Sequence, residues 1–143
     1  MRVISGICRG RKLVPIQGAR IRPTSDRVKE AIFNIIGPSI RDASVLDIFS
    51  GTGALGIEAL SRGAGRVIFA DIDTRTTLEN IRLCRLEKKA EIIRADLMLP
   101  GGLDQIPAVE FDFIFIDPPY GKQIIEQVLE NPAFLKLVHP GST

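Results

Sequence analysis

The sequence predicts an α/β protein built on an open parallel sheet, and three observations carry that expectation. From Ser44 onwards, short apolar runs alternate with segments of helix length, the pattern of successive βαβ units. One run, Phe111 to Ile116, is apolar at nearly every position, as a strand covered on both faces requires. Acidic residues stand just past the ends of the runs, at Asp71, Asp96 and Asp117, and in open α/β sheets that edge is where ligands bind.

Residues 2 to 16 alternate irregularly around Gly6 and Gly10 and read as a two-stranded ribbon turning at Cys8-Arg9-Gly10-Arg11. A loop from Gln17 to Thr24 includes Arg22-Pro23, where the residue before proline is pushed out of helical geometry. Thr24 or Ser25 then caps a helix over Asp26 to Ile36, stopped by Gly37-Pro38. The 3.6-residue period gives that helix an apolar face of Val28, Ala31, Ile32, Ile35 and Ile36. A first parallel strand, Val45 to Phe49, enters the glycine-rich turn Ser50-Gly51-Thr52-Gly53, and a helix follows from Ala54 to Arg62 with Gly63 as its stop. The next strand, Arg66 to Ala70, ends at Asp71-Ile72-Asp73 and leads into a polar helix from Thr74 to Leu86. Ala90 to Ile93 is the third strand, Phe111 to Ile116 the fourth, and helices are expected over Lys122 to Leu129 and Pro132 to Val138.

A chain of 143 residues suits one domain. No stretch approaches the ~20 apolar residues of a membrane span, and no apolar signal region follows Met1, so a cytoplasmic protein is expected. Cys8 and Cys84 lie far apart in unrelated contexts and are expected as reduced thiols; with the single His139 they make no metal-ligand spacing. The net charge of +2 hides an asymmetry. Residues 1–30 hold eight basic and two acidic side chains, while the remaining 113 hold eleven basic and fifteen acidic. A basic segment of residues 1–37 attached to a body of residues 38–143 is how an anion-binding extension of a catalytic domain would look.

The motif Asp47-Ile48-Phe49-Ser50-Gly51-Thr52-Gly53 lets the backbone pass close under a ligand, and the helix behind it offers amides. Gly51 to Gly56 also satisfies the dinucleotide fingerprint, with Asp71 twenty positions on, so an NAD-type enzyme is a rival reading. Asp47 tilts the choice, because a carboxylate there would repel a pyrophosphate yet suits the ammonium of S-adenosylmethionine. Asp71 can accept hydrogen bonds from both ribose hydroxyls and Asp96 from an adenine amino group. The deciding motif is Asp117-Pro118-Pro119-Tyr120. An exocyclic amine on a base is a poor nucleophile, and attack on a sulfonium methyl needs that nitrogen held in line. Asp117 can accept one N–H and the Pro118 carbonyl the other, while adjacent Pro118 and Pro119 fix the backbone. Tyr120 offers a stacking face for an unstacked base, a contact worth ~1–3 kcal/mol.

With these residues in place, the chain resembles the bacterial 16S rRNA (guanine-N2) methyltransferases. The likeness is carried by Ile4-Ser5-Gly6, Arg9-Gly10-Arg11-Lys12-Leu13 and the run from Arg22-Pro23-Thr24-Ser25-Asp26-Arg27 to Ile35. It implies the Rossmann-like class I methyltransferase sheet, in the order 3-2-1-4-5-7-6. It also implies S-adenosylmethionine held by Asp47, Phe49, Ser50, Gly51, Thr52, Gly53, Asp71, Ile72, Asp96 and Leu97. Asp117, Pro118, Pro119 and Tyr120 would hold the guanine, and Arg9, Arg11, Lys12, Arg22 and Arg27 the phosphates of 16S rRNA or the 30S subunit. Family members normally continue past the turn at Pro140-Gly141, whereas this chain stops at Thr143. The fourth strand is therefore expected at an open edge, through truncation, through cover by a partner chain (a homodimer or swapped strand), or as a disabled remnant. Rival functions are adenine-N6 methylation of DNA or RNA, protein-glutamine methylation, and RNA binding without turnover.

Overall fold

Four parallel strands run through the centre of the computed structural model, which describes residues 1–18, 24–119 and 122–143. They are β1 (Ser44–Ile48), β2 (Arg66–Asp71), β3 (Ala90–Arg94) and β4 (Phe113–Ile116), in the order β3-β2-β1-β4. The helices are α1 (Asp26–Ile36), α2 (Ala54–Ser61), α3 (Arg75–Leu83), α4 (Lys122–Glu130) and α5 (Pro132–Leu135). The expected loop at Arg22-Pro23 lies outside the described residues.

Side-chain alternation along the strands divides the interior into two cores. Val45, Val67 and Phe69 meet α2, α1 and the N-terminal segment through Ala59, Leu60, Phe33, Val3 and Leu13. Leu46, Ile48, Ile68 and Ala70 meet the other layer through Phe111, Val128, Phe134 and Leu137. The middle strands are therefore apolar on both faces, which is why they read as continuous runs in the sequence. No helix among the described residues is long and apolar enough to cross a membrane.

The ribbon is reduced to one antiparallel bridge, Arg2 to Lys12, flanked by Val3 N–H to the Arg11 carbonyl at 2.9 Å and Gly10 N–H to the Val3 carbonyl at 2.8 Å. Its first arm is diverted onto α2. The amides of Ile4 and Ser5 donate to the Glu58 carboxylate, and that of Ile7 to the Ser61 carbonyl. Folding also brings the cysteines together, with the Cys8 thiol 3.3 Å from the Cys84 carbonyl. Burial pushes the Cys84 thiol up to about 12.

α1 has the expected bounds and stops at Gly37, and the Ser25 hydroxyl caps it by accepting from the Val28 amide. Its buried face is not the one the periodicity gave. Lys29 and Phe33 point inward, Ile32 and Ile36 are half-buried, and Val28 and Ile35 are 50% and 87% exposed. The cause is ionic: Lys29 Nζ lies 3.3 Å from Glu58 and donates to the Arg2 carbonyl at 2.6 Å, with both side chains fully buried. A pattern that assigns every lysine to solvent misplaces this helix by part of a turn.

Three further elements are shorter than expected, among them α5, which ends at Leu135 rather than Val138. β4 starts at Phe113 because Asp112 works as a staple, its side chain accepting from the Ser44 amide and its own amide donating to the Ser44 carbonyl. α3 ends at Leu83 because Arg85 takes a left-handed conformation, φ 55°. β4 is the margin of the sheet, and Ile114 to Ile116 are only half-buried. Among the described residues its outer edge is hydrogen-bonded by Thr143, whose amide donates to the Asp112 carbonyl and whose carbonyl accepts from the Ile114 amide.

Candidate active site

The C-terminal ends of all four strands open into a cleft of about 500 Å³. Phe49, Ser50, Gly51 and Thr52 form its floor, Asp71 and Ile72 one side, Asp96 and Leu97 the next, and Asp117 with Pro119 the far end. Ten residues from four separate loops thus converge where an open α/β sheet holds ligands. Met1, Pro15 and Ile16 close the cleft from the N-terminal segment, a contribution the sequence did not suggest.

The glycine-rich turn is pinned from below and behind. Asp71 accepts from the Gly51 amide at 2.7 Å and from the Ile72 amide at 2.7 Å. The Thr77 hydroxyl donates to the Gly51 carbonyl at 2.8 Å, and the two Asn80 amide hydrogens reach the carbonyls of Thr52 and Val14. Asn80 Oδ1 in turn accepts from the Val14 amide, so one fully buried side chain fixes both the turn and the N-terminal segment. Thr77 and Asn80 are polar residues at an i, i+3 spacing on the inner face of α3; that inward pair was the available signal. Phe49, between β1 and the turn, holds a φ of 58° that non-glycine residues rarely adopt, a strain seen most at functional sites.

Two expected cofactor residues stand off the cleft wall. Gly53 is buried at the start of α2, its amide closing the turn onto the Ser50 carbonyl. Asp47 lies inside β1, 2% exposed, and accepts from the Gly56 amide at 3.0 Å. It faces a small cavity of about 30 Å³ that it shares with Thr24, Phe49 and Asp117. Burial pushes its carboxyl up to about 7, against the Gly56 hydrogen bond and with help from the charges of Asp117 and Asp71. Asp96 sits past β3 and caps its own turn by accepting from the Met98 amide.

Asp117 follows β4 directly, exposed, and accepts from the Thr24 hydroxyl at 2.6 Å. Pro119 lines the cleft, whereas Pro118 is buried behind it. Tyr120 lies outside the described residues, as does Arg22. Arg9, Arg11, Lys12 and Arg27 are all exposed, the first three on the ribbon and the last on α1. Among the described residues no group of three or more His, Cys, Asp or Glu could hold a metal ion.

The donor set argues against a dinucleotide. A pyrophosphate needs free backbone amides at this turn, yet those of Gly51, Gly53 and Gly56 are taken by Asp71, Ser50 and Asp47. What remains are carboxylate acceptors at adjacent strand ends, flanked by Ile72, Leu97 and Met98 as apolar walls. That combination fits an adenosyl group, hydroxyl and amino hydrogens against acids and a flat ring between aliphatic side chains.

The family model described as "conserved hypothetical protein 95" matches residues 1–142. The chain belongs to that family, the family of the ribosomal RNA small subunit methyltransferases D. The chain is 40% identical to YlbH of Bacillus subtilis, over 97% of this chain and 82% of that one. It is 37% identical to the ribosomal RNA small subunit methyltransferase D of Haemophilus influenzae, over 90% and 68% of the two chains. The solved structure of yhhF from Escherichia coli superposes with a TM-score of 0.74 at 35% identity, covering 89% of this chain and 68% of that one. The sheet is that of the class I methyltransferases.

Proposed function

We propose that this chain transfers a methyl group from S-adenosylmethionine to the exocyclic N2 of a guanine in 16S rRNA. The observation that carries the reading is the position of Asp117, which ends the same cleft that Asp71 and Asp96 line. S-adenosylmethionine supplies an electrophilic methyl on a sulfonium. Asp71 would accept ribose hydroxyls, Asp96 the adenine amine, and the Asp47 carboxylate would attract the ammonium. Asp117 and the Pro118 carbonyl hold the guanine amine, and Tyr120 stacks on the ring. In the transfer that this methyl would allow, the nitrogen lone pair would form the N–C bond as the C–S bond breaks, its electrons staying on sulfur, and the nitrogen would then lose one proton to water. Positioning supplies much of the acceleration, since no strong base is needed before attack. Arg9, Arg11, Lys12, Arg22 and Arg27 grip phosphates, which makes substrate binding weaken with salt.

The test is transfer of tritiated methyl to 30S particles, naked 16S rRNA, DNA and peptide side by side, with mass spectrometry of the labelled product. N2-methylguanosine in rRNA is the expected product. Label confined to DNA or peptide, or N6-methyladenosine, would replace this reading with one of its rivals.

The raised carboxyl of Asp47 makes cofactor binding depend on pH. Only the ionised form attracts an ammonium, so affinity is expected to strengthen as pH rises through about 7 and to level off above it. Titration calorimetry from pH 6 to 8 reads this directly, and Asp47→Asn should flatten the profile. A flat profile for the unaltered chain would remove Asp47 from the site. In the free protein the sign is opposite. The native carboxyl keeps its proton where the unfolded one, near its ordinary value of about 4, has lost it. Its stabilising contribution is present at acid pH and fades as pH rises towards 7.

A further inference from the structure

We infer that Thr24 is a positioning residue for Asp117, linking the seating of the basic N-terminal segment to the orientation of the amine-binding carboxylate. The inference rests on the methyl-transfer reading and adds to it a residue outside the Asp117 to Tyr120 loop. Thr24 is 93 positions from Asp117 in the chain, yet its hydroxyl donates to Asp117 Oδ2 at 2.6 Å. It is the only side-chain donor to Asp117 among the described residues. A hydroxyl–carboxylate bond of that length is charge-assisted and directional. An exposed aspartate past the end of an edge strand otherwise has several rotamers open to it. The Thr24 bond selects one, and among the described residues Oδ1 has no donor, so it can accept an N–H. Thr24 also lines both the main cleft and the small cavity that holds Asp47, so it stands between the two carboxylates nearest the transfer point.

What holds Thr24 in place is the segment proposed to grip RNA. Ser25 caps α1, and Lys29 one turn further on is locked to Glu58 and to the Arg2 carbonyl. Asp26 accepts from the Arg2 amide and pairs with its guanidinium at 3.5 Å. A continuous chain of contacts therefore runs from the basic ribbon through α1 to Thr24 and on to Asp117. Phosphate contacts that settle the ribbon would settle the carboxylate as well. Correctly placed RNA would thereby complete the site in which its own base reacts.

The test compares Thr24→Val and Thr24→Ser with the unaltered chain in single-turnover and steady-state transfer to 16S rRNA, with thermal unfolding as a folding control. Thr24→Val is expected to lower kcat about 10- to 100-fold, the cost of a misplaced reacting group. S-adenosylmethionine affinity and KM for rRNA should change by less than about threefold, and Thr24→Ser should restore most of kcat. A Thr24→Val enzyme with unaltered kcat, or one whose loss lies in KM alone, overturns the inference and leaves the methyl-transfer reading standing. Failure of Thr24→Ser to recover kcat while folding normally also overturns it. An unaltered chain that methylates none of its substrates overturns both.

Discussion

Asp117→Ala is expected to cut methyl transfer by roughly 10²–10³-fold, the loss seen when one oriented polar contact to a transition state is removed, and to leave S-adenosylmethionine affinity nearly intact. The separation of effects follows from geometry. Asp117 ends the cleft, while the proposed adenosyl contacts come from Asp71 and Asp96 on strand ends farther across the sheet. An alanine leaves the amine with one acceptor, the Pro118 carbonyl, and nothing to hold the nitrogen in line. Removing the carboxylate also removes one of the charges that raise Asp47. The midpoint of the pH dependence of cofactor binding should therefore move to lower pH in this variant. A tritiated-methyl assay gives the first quantity and calorimetry across pH the second. Turnover near that of the unaltered chain would end the role assigned to Asp117.

The middle of the fold was legible because its physics is local. Val45 to Ile48 and Val67 to Ala70 are buried on both faces, so each strand appears as an apolar run with bounds correct to a residue or two. The glycines mark the turn because backbone of that shape admits few other residues. Apart from the end of α3, which the backbone at Arg85 sets locally, and that of α5, what stayed hidden in the sequence involves partners distant along the chain. Lys29 looks like a solvated residue until Glu58 is beside it. Asp47 reads as a wall of the main cleft, and strand parity sets it back on the side of Val45, against the Gly56 amide and open only to its own small cavity. Thr77 and Asn80 look like ordinary polar positions on a polar helix, and only the fold supplies the turn carbonyls they hold. Thr24 reads as a candidate cap, a role Ser25 takes instead, and its hydroxyl is left for Asp117. Sequence position identified the cleft; long-range polar contacts decide how its parts are aimed.

The largest stability loss is expected at Glu58, the junction of three elements. Its carboxylate accepts from the Ile4 amide at 2.9 Å, the Ser5 amide at 3.0 Å and Arg62 Nε at 2.9 Å, and it faces Lys29 Nζ at 3.3 Å. Arg62 is further fixed by lying 4.8 Å above the Phe33 ring. Glu58→Leu removes the anion and strands a fully buried ammonium with the Arg2 carbonyl as its remaining acceptor. Breaking one side of a buried ion pair costs about 3–5 kcal/mol, which for a chain of this size lowers Tm by roughly 10 °C or more. Pairing it with Lys29→Met should recover part of the loss, because a buried ion pair can be replaced by apolar side chains of similar volume. Recovery stays incomplete, since the Ile4 and Ser5 amides still lack an acceptor. Chemical denaturation of the two single variants and the double variant gives the coupling directly. A Glu58→Leu chain within about 1 kcal/mol of the parent would mean that water reaches this site and solvates Lys29. The double variant also separates stability from aim: with folding partly restored but the Glu58 and Lys29 contacts to the ribbon lost, leaving on α2 those through Ser61, transfer to rRNA should remain depressed if the chain of contacts through Thr24 sets the angle of Asp117.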